Sequence, residues 1–165
     1  MINIFMKYLT ILIFIILTKN LFSLEVECSF EEVYQNGESQ QGFFLIKDEK
    51  FRYQYNDKNL FTIIHNQNIF FLIENSDPTR FFRIDENIEV LKAVVKILGD
   101  YPDFRNEYYL EGLSIRIEKS NINIIKRLIL LSDEKNLSIY INDCKFHPIK
   151  NLYFSYSPYF NYKKK

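Results

Sequence analysis

Apolar side chains occupy both faces of two consecutive strand-like segments, residues 60–64 and 69–73. In the first, LFTII, Phe61 and Ile63 lie on one face and Leu60 and Ile64 on the other, and the second, IFFLI, is likewise apolar on both faces. Antiparallel sheets commonly bury one face and leave the other in water. A chain with this pattern must therefore cover both faces of its sheet.

Period-two alternation extends from Val26 almost to the end of the chain, interrupted by polar turns such as Asn36-Gly37. The pattern predicts about eleven short strands, the last of them in LYFSYS, residues 152–157. The period changes once, in DENIEVLKAVVKILGD, where Asp85 is placed to cap a helix and Gly99 to end it. Without an internal repeat or a linker, residues 24–165 are predicted to form one domain.

The number of strands constrains the architecture. A sheet of this many twisted strands curls or closes, and one helix roughly 20 Å long is too short to fill its concave side. We therefore expect a mainly β fold, a curved antiparallel sheet that forms an incomplete (half) barrel with a helical lid. The interior is either packed solid by Phe and Tyr or holds an apolar ligand, and the alternation leaves both alternatives open.

The first residues have the layout of a secretory signal peptide. Lys7 precedes an uncharged apolar run at residues 8–18, and a short polar stretch ends at Ser23. The run is short for a membrane-spanning helix, which needs about 20 residues. Residues 1–23 are predicted to be a cleaved signal peptide, with an uncleaved anchor as the alternative.

Cys28 and Cys144 are the two cysteines of the chain. In an exported protein an even pair indicates a disulfide, although two buried free thiols remain the alternative. The formal net charge of zero argues against nucleic acid as a partner.

Sequence signals for catalysis are missing. The two histidines lack further ligands at metal-binding spacing, four glycines do not form a phosphate-binding loop, and no serine lies in a nucleophile elbow. We expect no metal site, no cofactor and no enzymatic activity.

Several segments, in their order along the chain, carry a resemblance to a known family. They are ECSFEEV, GFFLIK, FRYQY after a basic residue and a turn, TIIHNQNIFFLIEN, the helical segment, and IKRLILLSDEKNLSIYINDCKFHPIKNLYFSYSP. This order resembles the LolA family of periplasmic carriers of outer-membrane lipoproteins, over residues 26–158. The chain departs from the family pattern where a helix usually precedes the Ser-Phe strand, and Asp48 stands where the family often has Pro.

The resemblance implies a concave incomplete barrel covered by helices, with an apolar cavity for acyl chains. The protein would act in the periplasm and would itself hydrolyse nothing. It would receive a lipoprotein from an ATP-driven inner-membrane exporter and pass it to an outer-membrane acceptor. We expect a monomer. Two other functions stay open, a non-enzymatic envelope interaction module with a filled core and a secreted hydrolase for which no carboxylate pair stands out.

Residue predictions follow from the resemblance and from the alternation. The candidate cavity residues, each with packing in the core as the alternative, are Phe43, Leu45, Phe51, Tyr53, Phe61, Ile63, Phe70 and Leu72. The candidate lid residues, with ordinary cover of the core as the alternative, are Ile88, Leu91, Val95 and Leu98. Lys47 and Arg52 are predicted to contact the lid or a partner protein, with ordinary surface positions as the alternative.

Overall fold

The computed structural model describes residues 25–84, 93, 96–97, 100, 103–110, 112–120, 125–132 and 136–156. The predicted signal peptide lies outside these residues. The strands are β1 (Glu25–Tyr34), β2 (Ser39–Lys47), β3 (Lys50–Tyr55), β4 (Phe61–Asn66), β5 (Ile69–Glu74), β6 (Phe81–Ile84), β7 (Glu107–Leu110), β8 (Leu113–Lys119), β9 (Ile125–Ser132) and β10 (Asn136–Phe146).

All ten strands belong to one antiparallel sheet with the order β6-β5-β4-β3-β2-β1-β10-β9-β8-β7. The first and last strands of the chain, β1 and β10, pair in its middle, and β6 and β7 form its two edges. The sheet is not closed into a barrel, which confirms the predicted fold class. The predicted strand in LYFSYS is wrong, because Asn151–Phe154 forms a 3-10 helix instead.

One face of the sheet is concave. Side chains of β1 to β4 and of β9 and β10 line a single cavity, although these strands lie on both sides of the sheet centre. In β1, Cys28, Phe30 and Glu32 are on this face, and the register places Phe44 of β2 and Ile139 of β10 beside them. The opposite face is called the convex face below.

The convex face of β2 to β5 is covered by residues 147–156, the C-terminal strap. Ile149 and Phe154 of the strap are buried against a cluster that includes Phe43, Leu45 and Ile64. The 3-10 helix therefore packs onto the sheet face and adds no strand to its edge. This cover explains why β2, β4 and β5 carry apolar side chains on both faces.

The chain between β6 and β7 joins the two opposite edges of the sheet. Within it, Ala93, Lys96 and Ile97 are helical, in agreement with the predicted helix. Ala93 and Ile97 are buried in a cluster with concave-face residues of β7 to β9, such as Ile115. The predicted lid residues Ile88, Leu91, Val95 and Leu98 lie outside the described residues.

A disulfide bond joins Cys28 of β1 to Cys144 of β10, across a sequence separation of 116 residues. It lies beside a bulge, where the pairing of the two strands shifts between Glu27 and Ser29. Asp143, next to the second cysteine, has a positive φ of 49°. Of the two alternatives that the sequence left open for these cysteines, the disulfide is the one observed, and the bond links the strands at which the two halves of the sheet meet.

Candidate ligand-binding cavity

The concave face contains a partly open apolar cavity of about 280 Å³. Its walls come mainly from large aliphatic and aromatic side chains of β1 to β4, β9 and β10, and Ile97 of the helical segment also contributes. The lining residues are Glu32, Tyr34, Phe44, Ile46, Phe51, Tyr53, Tyr55, Phe61, Ile63, Ile97, Ile125, Leu128, Leu130, Leu137, Ile139 and Ile141. Such a space suits a hydrocarbon group.

Four of the predicted cavity residues lie on this wall: Phe51, Tyr53, Phe61 and Ile63. They belong to β3 and β4. In these strands, polar residues such as Arg52 alternate with them, and this alternation allowed the sequence to distinguish the two faces. Their contact with a ligand stays a prediction.

Phe43 and Leu45 are not on the cavity wall, so this part of the prediction is corrected. Both are buried on the convex face under the C-terminal strap. Their neighbours Phe44 and Ile46 line the cavity instead. In GFFLIK, both parities of the strand are apolar, and alternation alone did not distinguish the two faces.

Phe70 and Leu72 of β5 share the concave side of the sheet with the cavity residues, because Leu72 pairs with Ile63 and Phe70 with His65. Neither residue contributes to the cavity wall. Phe70 is buried, and its ring lies against the imidazole of His65, with ring centroids 4.5 Å apart. Both residues are nearer the β6 edge than the cavity is.

Lys47 and Arg52 were predicted to contact the lid or a partner, and the structure shows them binding the C-terminal strap. The Lys47 ammonium donates to the carbonyl oxygen of Ile149 at 2.7 Å and lies 3.0 Å from the Glu25 carboxylate. Arg52 is buried, and its Nη1 donates to the carbonyl oxygen of Tyr153 at 2.9 Å. Arg52 therefore lies inside the convex-face packing and is not an exposed side chain.

One polar cluster interrupts the apolar wall. The Glu32 carboxylate is buried and accepts hydrogen bonds from Tyr34 at 2.6 Å, from Tyr53 at 2.7 Å and from Tyr55, which lies 3.0 Å from both oxygens. The ring of Phe30 stacks on Tyr53 with a centroid distance of 3.9 Å. These residues are called the Glu32 cluster.

The Glu32 cluster keeps its phenols protonated. Burial, together with the hydrogen bond and the negative charge of Glu32, raises the pKa of Tyr34 to about 12. Burial and then the charge of Glu32 also raise the pKa of Tyr53 and of Tyr55. At neutral pH each hydroxyl therefore has its proton and donates it to the carboxylate.

Sequence reasoning missed this cluster, although a signal was present. Glu32 has the same parity in β1 as Cys28, Phe30 and Tyr34, so it places a carboxylate on a face that is otherwise apolar or aromatic. A charged residue of core parity is seldom fully buried unless it is paired. This mismatch identifies Glu32 as a residue with a specific role.

A second, more polar space of about 420 Å³ adjoins the apolar cavity. Tyr34, Tyr55 and Phe61 line both spaces, so the two share a wall. The remaining lining residues of this space, called the vestibule, are Gln35, Asn36, Glu38, Gln40, Leu60 and Asn136. An apolar space and a polar one thus lie next to each other, with the Glu32 cluster between them.

In the described part of the chain, no His, Cys, Asp or Glu side chains form a group of three suited to hold a metal ion. Within the same residues, no helix has the length and hydropathy that crossing a membrane requires.

Comparisons with known proteins give little further information. No family model and no curated protein matches the sequence. Among solved structures, the chain is similar to a LolA superfamily protein from Nitrosomonas europaea, with 9% sequence identity and a TM-score of 0.47. The match covers 82% of this chain and 91% of that chain. Membership of the LolA family therefore stays a prediction from the sequence.

Proposed function

We propose that this protein is a periplasmic carrier that binds the acyl chains of lipoproteins, or of another lipid, in its apolar cavity and transports them from the inner to the outer membrane. The carrier would have no enzymatic activity. The observation that carries the proposal is the apolar cavity of about 280 Å³ on the concave face of an open sheet.

Physical chemistry supports reversible binding in such a cavity. Each buried CH₂ group contributes about 0.8 kcal/mol, so an acyl chain gains affinity without polar contacts. Because β6 and β7 are edges and do not pair with each other, a change in their separation breaks no ladder hydrogen bonds between them. A longer chain can therefore be admitted by opening the sheet.

The proposed partners are an inner-membrane exporter, an outer-membrane acceptor and the acylated cargo, as the sequence resemblance implies. The alternative function, an envelope interaction module, requires a core that the protein fills with its own side chains. The cavity between β3, β4 and β10 favours the carrier.

Binding can be tested with purified, delipidated protein and an uncharged fluorescent probe that carries an acyl chain. Ile139→Trp places a large ring in the cavity wall, whereas Ile129→Trp, on β9, places the same ring on the convex face. We expect wild type and Ile129→Trp to bind the probe and Ile139→Trp to lose most of the binding. Absence of binding to wild type, or equal binding to both variants, contradicts the proposal.

Transport requires a separate experiment in cells. Depletion of the protein should cause lipoproteins to accumulate in the inner membrane, and re-expression of wild type should reverse this, whereas Ile139→Trp should not. A normal distribution of lipoproteins after depletion would exclude lipoprotein transport and leave a different lipid as the cargo.

A further inference from the structure

The charges around the two adjoining spaces have one sign. Among the described residues that line the cavity and the vestibule, the charged ones are Glu32 and Glu38. The other polar lining groups are phenols and side-chain amides. A ligand that extends from the cavity into the vestibule therefore meets carboxylates and neutral groups.

Glu32 is a buried carboxylate that has no cationic partner within the described part of the chain. It is 4% exposed, and none of the described lysines, arginines or histidines forms an ion pair with it. Its hydrogen bonds come from neutral phenols. Burial of a carboxylate costs free energy that neutral donors offset only in part, and a nearby positive charge would lower that cost.

The same place provides further contacts for a cation. Each phenol of the Glu32 cluster donates its only proton to the carboxylate, so its oxygen remains an acceptor for a ligand N–H group. The aromatic rings are also close together, with centroid distances of 5.5 Å between Tyr53 and Tyr55 and 5.3 Å between Tyr55 and Phe61. Ring faces attract ammonium groups.

We infer that the ligand is an amphiphile whose hydrocarbon tail occupies the apolar cavity and whose head group, positively charged and carrying an ammonium, lies at the Glu32 cluster and the vestibule. This inference rests on the proposed function, because it specifies the head group of the ligand of the same cavity. An anionic head group would be repelled by Glu32 and Glu38.

The inference is tested with three amphiphiles that share a dodecyl tail: dodecylammonium, dodecyl maltoside and dodecyl sulfate, each below its micellar concentration. Displacement of the uncharged acyl-chain probe gives their affinities for the full protein. We expect the cationic amphiphile to bind about tenfold more tightly than the anionic one, a ratio that corresponds to about 1.4 kcal/mol. Added salt should reduce this ratio.

Variants locate the origin of the preference. Glu32→Gln should remove most of the preference for the cationic amphiphile, and Glu38→Gln should remove part of it. Glu38 is exposed and lies next to a turn, so we expect its substitution to leave folding intact. The matched control is Glu31→Gln, one residue away in β1 and on the convex face, where Gln41 pairs with it. This control should retain the full preference.

The outcomes separate this inference from the proposed function. If all three amphiphiles bind with equal affinity, the cationic head group is excluded. If the preference persists in both Glu32→Gln and Glu38→Gln, the placement of the head group at the Glu32 cluster and the vestibule is excluded. The carrier function stands in either case. If none of the three binds, the carrier function itself fails. Should Glu32→Gln not fold, the change in preference with Glu38→Gln decides.

Discussion

The Arg52 guanidinium donates a hydrogen bond from Nη1 to the main-chain carbonyl oxygen of Tyr153, 2.9 Å away. Arg52 is 2% exposed, and its Nε and Nη2 also donate to Oε1 of Gln54 at 3.0 Å and 2.7 Å. A side chain of β3 thus holds the C-terminal strap against the convex face, on the side of the sheet opposite the cavity.

Arg52→Met should lower the free energy of unfolding by about 1–3 kcal/mol, because the Tyr153 carbonyl and the Gln54 amide lose their donor. Methionine retains most of the apolar stem. Urea unfolding provides the measurement, and Arg83→Met, which changes an exposed arginine of β6, is the control. Equal stability of the two variants would show that Arg52 does not hold the strap.

Removal of the disulfide should destabilise the protein more strongly. The bond between Cys28 and Cys144 closes a loop with a sequence separation of 116 residues, and loops of that length correspond to about 4–5 kcal/mol in the chain-entropy model. The variant with both cysteines changed to serine should show this loss in denaturant unfolding. Wild type treated with a reducing agent should then unfold like the variant, and unchanged stability on reduction would contradict the prediction.

Gly42→Ala tests the close approach of β1, β2 and β3. A Cβ at residue 42 would lie 2.1 Å from the carbonyl oxygen of Gln54 and 2.4 Å from Cζ of Phe30. The backbone must shift to relieve the first contact, so we expect destabilisation at or above the upper end of the roughly 1–3 kcal/mol typical of overpacked sites. Ser39→Ala, at an exposed position of the same strand, should be nearly neutral. A folded Gly42→Ala protein with wild-type stability would contradict this packing.

Stability should fall at alkaline pH because of the Glu32 cluster. The pKa of Tyr34 is raised from 10.0 to about 12 in the folded protein. Between these values the unfolded chain binds fewer protons than the folded one, so the free energy of unfolding decreases as pH rises, and the contribution is complete below pH 10.

Tyr34→Phe should make this alkaline decrease shallower, as measured by urea unfolding at several pH values between 9 and 12. Tyr140→Phe is the control, since Tyr140 lies on the convex face under the Arg127 guanidinium, away from Glu32. An unchanged pH dependence in Tyr34→Phe would mean that the phenol does not titrate differently in the two states.

Local alternation was sufficient to predict most strands. The alternation that begins at Val26 corresponds to β1, Glu25–Tyr34, and the alternating segment FRYQY forms nearly all of β3, Lys50–Tyr55. LYFSYS was the exception. It alternates like a strand, yet Phe154 is buried against the sheet face, and the strap finds its hydrogen-bond partners among side chains of β2 to β4.

The sequence by itself determined that the chain forms many short antiparallel strands and that both faces of its sheet require cover. The tertiary structure alone decided which face of β2 borders the cavity, how the strap covers the convex face, and that Glu32 meets Tyr53 and Tyr55. The physical reason is the distance along the chain over which each feature is determined. Alternation depends on neighbours in the chain, whereas the inside of a curved sheet is defined by β9, β10 and the strap, which lie about a hundred residues away from β1 and β2.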